Sequence, residues 1–231
     1  MKNLKRYIFP SILLSFLLTS CHKWDEYKDA LPEGSKVYPG IDTAIIYQAG
    51  YNKARLVWKA SPDQRVAKYA VYWNNRKDSV VLDAVGHDAK DTIKALLENL
   101  SEGFYTFIIH SYDSKGRKSV PVEKNNVRIY GPIYQKSLLN RDPKSVRYDT
   151  DTKEIDIDFN VAEEETAYTE LSYIALNNNT AKIKVPSEQS TVTIKDRKKG
   201  AKIYYQSYYK PTQEVIELFS TVNRDSIIIA D

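Results

Sequence analysis

One thiol, three imidazoles and a run of tyrosines are the side chains of this 231-residue chain with the most chemistry to offer. Cys21 is the only cysteine, and His22, His87 and His110 are the only histidines. A zinc site needs three or four Cys, His or carboxylate ligands in close spacing, and none of these histidines stands in such spacing with another ligand. The sequence has no nucleophile elbow, P-loop or dinucleotide fingerprint. His87-Asp88 lacks a third partner and reads as a polar loop pair rather than a catalytic one. Asp149-Thr-Asp-Thr-Lys-Glu154 opens like a calcium loop but lacks its glycine at position six and its distal bidentate glutamate. Neither catalytic residues, a metal nor a cofactor is therefore expected, and the chain does not read as an enzyme. What remains is binding. In Ala201–Tyr209 a strand would send Tyr204 and Tyr208 to one side and Tyr205 and Tyr209 to the other, so a two-layer sandwich cannot bury all four. Tyrosine rings outside a core stack on sugar rings or partner side chains, and the hydroxyl adds a hydrogen bond. The competing reading for these four is packing at an edge or between domains, against Tyr134 or Leu138.

The thiol has its own explanation. Lys2, Lys5 and Arg6 precede an apolar run from Tyr7 to Leu18, the layout of a secretory signal peptide and too short to span a bilayer. Leu18-Thr19-Ser20-Cys21 resembles the bacterial lipobox. The resemblance implies cleavage before Cys21 and a lipid on its sulfur, a transfer that needs a thiolate nucleophile. Acyl chains contribute roughly 0.8 kcal/mol per buried CH2, so several of them anchor the chain durably. Lys23 to Glu26 is similar to the export signal that sends Bacteroidota lipoproteins to the outer face of the outer membrane; a solvated tether reads as well there. Lys28 to Gly40 has turn formers and no periodicity, as a flexible stalk would.

Removing residues 1–20 takes away three of 34 basic residues and no acid. That leaves 31 cations against 30 anions, a net charge near +1. Little is left to hold phosphate backbones, and nucleic acid is not an expected partner. Without disulfides the rest must hold by core burial, and roughly 190 residues suit two domains.

Those residues alternate as strands do. Leu56 and Trp58 share a face, as do Tyr69, Val71 and Trp73, and further on Ile155, Ile157 and Phe159 against Asp156 and Asp158. Short alternations separated by Asn, Asp, Gly, Lys or Pro argue for sandwiches rather than alternating strand and helix. Asp88–Asn99 and Thr212–Val222 are ambiguous between helix and strand. Glu163–Glu165 and Lys195–Lys199 read as solvated loops. Trp58, Tyr69-x-Val71, and Leu100…Gly103…Tyr105 before Asp113-x-x-Gly116 resemble fibronectin type III. That resemblance implies Trp58 and Tyr69 in the core and Leu100 with Tyr105 at the tyrosine corner. Residues 141–231 look like a weaker second copy.

With Tyr72-Trp-Asn-Asn75 and Leu138-Leu-Asn-Arg141, the whole chain resembles an uncharacterised family of Bacteroidota lipoproteins often linked to glycan use. The expected fold is all-β: two tandem fibronectin type III-like (immunoglobulin-like) sandwiches after a leader and stalk. The expected organisation is a signal peptide over 1–20, a lipidated tether over 21–40, and domains over 41–133 and 134–231. The expected role is a non-catalytic, surface-exposed outer-membrane lipoprotein, anchored through Cys21, that captures a glycan or adheres. A spacer or docking subunit for an envelope protein is the alternative.

Overall fold

The computed structural model describes residues 39–88 and 90–230; the leader, Cys21, the Lys23–Glu26 segment and the stalk as far as residue 38 lie outside the described residues. Strands β1 (Ile46–Gly50), β2 (Lys53–Lys59) and β5 (Thr92–Leu97) form one antiparallel sheet in the order β1-β2-β5. Strands β3 (Val66–Trp73), β4 (Asp78–Asp83), β6 (Gly103–Asp113) and β7 (Val122–Ile129) form another in the order β4-β3-β6-β7. Period-two alternation decides which side chains meet between them. Ala54, Leu56 and Trp58 of β2 and Ile93, Ala95 and Leu97 of β5 share one core with Tyr69, Val71, Phe107, Ile109, Val127 and Ile129 from the other sheet. Trp58 meets Tyr69 edge-on at 5.5 Å between ring centres. Full burial of each such apolar side chain is worth roughly 1.5–3 kcal/mol.

The tyrosine corner is not where the resemblance implied it. Leu100 is buried, but Tyr105 is only half-buried and lies flat against Phe107, 5.8 Å away and 8° from parallel. The tyrosine whose hydroxyl reaches back to upstream backbone is Tyr69, which accepts the Ser61 N–H at 2.8 Å. The ambiguous Asp88–Asn99 stretch holds a strand, because Ile93, Ala95 and Leu97 alternate inward with exposed residues between.

The same architecture recurs further on. Strands β8 (Pro143–Tyr148), β9 (Ile155–Phe159) and β12 (Thr191–Ile194) make a sheet in the order β12-β9-β8. It faces β11 (Thr180–Pro186), β10 (Thr166–Ile174) and β13 (Ile203–Tyr209), and β13 pairs with both β14 (Phe219–Ser220) and β15 (Asp225–Ile227). Taking β14 and β15 as one divided last strand, the order matches that of the first sandwich: first, second and fifth strands in one sheet, fourth-third-sixth-seventh in the other. This is the two-sheet sandwich of the fibronectin type III kind, twice over. Ile155, Ile157, Leu171, Val185, Ile194, Ile203 and Tyr205 fill the second core.

Helix α1 (Pro132–Ser137) lies between β7 and β8, just after Gly131. Pro132 supplies a preset helical φ at its start, and the Glu102 carboxylate accepts the N–H groups of Ile133 (2.7 Å) and Tyr134 (2.8 Å). The helix carries Tyr134 into a separate cluster with Ala49, Tyr130, Tyr209 and Phe219. Tyr130, Tyr134 and Phe219 meet at 4.6, 5.3 and 5.5 Å between centres. The Lys210–Leu218 loop of the second sandwich lies along strand β1 of the first. Ala49 N–H donates to the Glu214 carbonyl (3.2 Å) and Ile216 N–H to the Ala49 carbonyl (2.7 Å), and Lys53 pairs with Glu217 at 3.1 Å. Thr212–Val222 is therefore irregular chain ending in the short β14.

Candidate functional site

The tyrosine strand β13 separates as its alternation requires. Tyr205 and Tyr209 are 6% and 2% exposed; the first belongs to the second core and the second to the joint cluster beside Tyr134 and Leu138. The Tyr209 hydroxyl donates to the Leu139 carbonyl and that of Tyr205 to Asp142 (3.5 Å). Burial, the Asp225 charge and Asp142 together push the Tyr205 hydroxyl up to about 12. Neither offers a surface to a ligand. Tyr204, 44% exposed, and the half-buried Tyr208 lie on the opposite, outer face.

Register shows what stands beside them. Tyr208 pairs with Tyr168, which pairs with Pro186; Gln206 pairs with Glu170, which pairs with Lys184; Tyr204 pairs with Ser172, which pairs with Lys182. Three rows therefore form an outer face of mixed aromatic and charged side chains. Tyr168 and Tyr208 stack at 4.7 Å and 22°, and the Lys184 ammonium stands 4.4 Å from the Tyr168 ring centre. Lys182 pairs with Glu170 at 2.8 Å. The Tyr168–Tyr208 stack and the Lys184 ammonium over it bring two rings and a cation together on this face. Such a surface can stack on an apolar sugar face and hydrogen-bond its hydroxyls.

Sequence reasoning found Tyr204 and Tyr208 but not Tyr168, Lys182 or Lys184. Their signal is alternation in β10 and β11, where Leu171, Tyr173, Ile183 and Val185 turn inward. Only the pairing register, which no single strand states, sets them beside the β13 tyrosines.

The remaining chemical candidates are engaged elsewhere. The Asp88 carboxylate accepts the Lys90 N–H (2.9 Å), and His87 Nδ1 is buried with no hydrogen-bond partner, so the two make no dyad. Asp149 accepts the N–H groups of Asp151 (2.8 Å) and Thr152 (2.9 Å) and closes the β8–β9 hairpin. Among the described residues no group of three or more His, Cys, Asp or Glu could hold a metal, and no helix is long and apolar enough to cross a membrane. Two segments expected to be plain solvated loops are more than that. Glu165 accepts the Tyr134 hydroxyl at 2.7 Å, and Arg197 is 8% exposed, donating to the carbonyls of Lys198 (3.2 Å) and Ala201 (2.8 Å). Both loops are tied to partners, the Tyr134 hydroxyl in one and backbone carbonyls in the other, that sequence-local charge counting does not see.

His110 is the second feature that spacing did not reveal. It faces outward from β6 yet is only 2% exposed, covered by Tyr72, Tyr112 and Arg76. Its Nδ1 lies 3.0 Å from the Ser119 carbonyl, which can only accept, so Nδ1 carries the proton and Nε2 accepts from Arg76 at 3.3 Å. Burial first, and then Arg76 and Lys118, hold the imidazole below its ordinary pKa, against the opposing pull of the Ser119 carbonyl.

Among solved structures, the chain is similar to the FN1–FN3 domains of chicken CNTN1, at 13% identity and a TM-score of 0.41, over 83% of this chain and 67% of that one. It is also similar to a two-domain fibronectin type III segment of chicken tenascin, at 12% identity and a TM-score of 0.31, over 81% of this chain and 97% of that one. The assignment of fold rests on the strand order and register described above. No curated protein matches the sequence. A family model does match, over residues 21–219, and the chain belongs to that family: DUF4998, a domain of unknown function.

Proposed function

We propose that this protein is a non-catalytic capture module: a lipoprotein held by Cys21 at the bacterial outer membrane, facing outward, that presents the outer face of its second sandwich to a glycan. The observation that carries the reading is the β11-β10-β13 face, with Tyr204 exposed, Tyr168 stacked on Tyr208, and Lys182 and Lys184 beside them. Anchoring is supported by the leader grammar and by the family match, which starts at Cys21. A broad array of plant, microbial and host glycans probed with the purified full-length protein tests this. Binding to at least one class is expected, and no binding across the array would end the glycan reading. Mass spectrometry of the mature N-terminus should find a lipidated Cys21; a chain that starts elsewhere would remove the anchor.

One observation favours a second reading. The joint between the sandwiches is cross-linked by backbone and ionic contacts from Glu214–Glu217 to Ala49, Tyr51 and Lys53 at the β1–β2 hairpin, which suits a stiff spacer or docking subunit. A stoichiometric envelope protein recovered with the wild type and lost on Tyr204→Ala would favour docking over glycan capture.

A further inference from the structure

We propose that the outer face of the first sandwich, at the β3–β4 turn, is a second binding site, one that takes a carboxylate- or sulfate-bearing polysaccharide. Three exposed cations lie along this face: Arg76 in the turn beside Tyr72, and Lys68 and Lys118 beside Tyr112, whose hydroxyl meets that of Tyr72. Among the described residues none of the three forms an ion pair, whereas Arg65, Arg117, Arg147, Lys182 and Lys195 all do. Of the acids nearby, Asp113 is paired with Arg117 (2.6 Å) and Asp78 accepts from the Asn74 amide (2.6 Å), while Glu123 stands in the same cross-strand row as Tyr72. Asp83 stands opposite Lys68 in the register without pairing to it.

Two of these cations are held in place by aromatic rings. The Arg76 guanidinium lies 5.8 Å from the Tyr72 ring centre and the Lys68 ammonium 5.7 Å from that of Tyr112. The two tyrosine hydroxyls bond each other at 2.9 Å. Ala70 and His110, paired across the sheet on this same outward face, are both 2% exposed beneath them. An alanine at position 70 leaves room for the two rings to lean together. Arg76 reaches this place only because Asn74, Asn75 and Arg76 turn the chain with φ of 49°, 54° and 63°. Three successive left-handed residues without a glycine are costly, and the contacts to Tyr72 and His110 offset that cost. One guanidinium N–H goes to the buried His110; among the described residues the others have no acceptor. A fork of free donors over an aromatic floor, with two ammonium groups beside the adjoining Tyr112, fits an anionic group that also carries hydroxyls. A sugar acid or sugar sulfate supplies both; an acidic peptide supplies chiefly the charge. The choice of a polysaccharide rests on the capture reading above.

Affinity electrophoresis of the full-length protein tests it, with polygalacturonate as the carboxylate probe, dextran sulfate as the sulfate probe, and dextran and polyglutamate as controls. One or both acidic polysaccharides should retard the protein and dextran should not. Retardation should weaken about tenfold on Arg76→Gln and on Lys68→Gln, and fall between about 0.02 M and about 0.5 M salt as screening sets in. Lys68→Gln keeps the test sound if Arg76→Gln loosens the turn, and unfolding midpoints verify both folds. Absence of retardation by either acidic polysaccharide, unchanged retardation of both variants, or equal retardation by dextran or polyglutamate would overturn the proposal. Capture of a neutral glycan through Tyr204 without any acidic one would sink this site and leave the capture reading standing.

Discussion

At the scale of single residues, the informative side chains are polar groups placed where the fold would prefer none. Tyr69 is completely buried, and its hydroxyl is satisfied by the Ser61 N–H. Tyr69→Phe should therefore cost about 1–3 kcal/mol, since it leaves a buried donor unbonded, and the shift in urea midpoint measures it. Burial first, and then the nearby cations Arg76 and Lys118, lower the His110 pKa, with the rings of Tyr72 and Tyr112 packed around it. Its folded pKa lies below the unfolded value, so as pH falls through about 6.5 the unfolded chain takes up the proton first. Stability should therefore decline on acidification from about pH 7 and level off once the folded form is also protonated. His110→Gln should flatten that part of the profile in denaturant titrations across about pH 7 to 5. A wild-type profile without slope there would contradict the placement of this imidazole.

At the scale of elements, turns and connections decide where those residues lie. The β3–β4 turn is strained, so Asn75→Gly should raise stability by roughly 0.5–1 kcal/mol by removing a left-handed Cβ; thermal unfolding reads this. The opposite holds at Gly131, where a Cβ would stand 2.6 Å from Asn52 Oδ1 and 3.1 Å from the Glu102 side chain. Gly131→Ala should loosen the start of α1 and cost about 1–3 kcal/mol as an overpacked joint. Much at this scale was legible in the chain. Leu56 with Trp58, Tyr69 with Val71, and Ile155 with Ile157 announce their buried faces by alternation alone. Helix α1 was not legible, because its six residues are stabilised by Glu102, thirty residues upstream, and by burial of Tyr134 rather than by any local period. The corner tyrosine was misplaced for a similar reason: Tyr69 and Tyr105 both lie on core-facing strand positions, and only packing decides which hydroxyl meets backbone. Of the second-sandwich face, the β13 tyrosines could be read directly. Tyr168 and the lysines could not, since register joins residues from strands far apart in sequence.

For the molecule as a whole, the joint is what makes two sandwiches behave as one body. Tyr130, Tyr134, Tyr209 and Phe219 bury their rings there, and Lys53–Glu217 and the Ala49 backbone bonds close its edge. Phe219→Ala should cost about 3–5 kcal/mol and broaden the pair-distance distribution in small-angle scattering, because it empties the cluster that couples the halves. An unchanged distribution would mean that the backbone contacts suffice alone. In the capture role proposed above, the β11-β10-β13 face of the second sandwich is the one that binds. The most direct test of this is the dissociation constant of the full-length protein for whichever glycan the array identifies, compared with Tyr204→Ala and Tyr208→Ala. Loss of one ring contact is worth about 0.5–1.5 kcal/mol, so each variant should bind roughly 2- to 13-fold more weakly with little change in unfolding midpoint. Affinity equal to wild type in both variants would contradict the account.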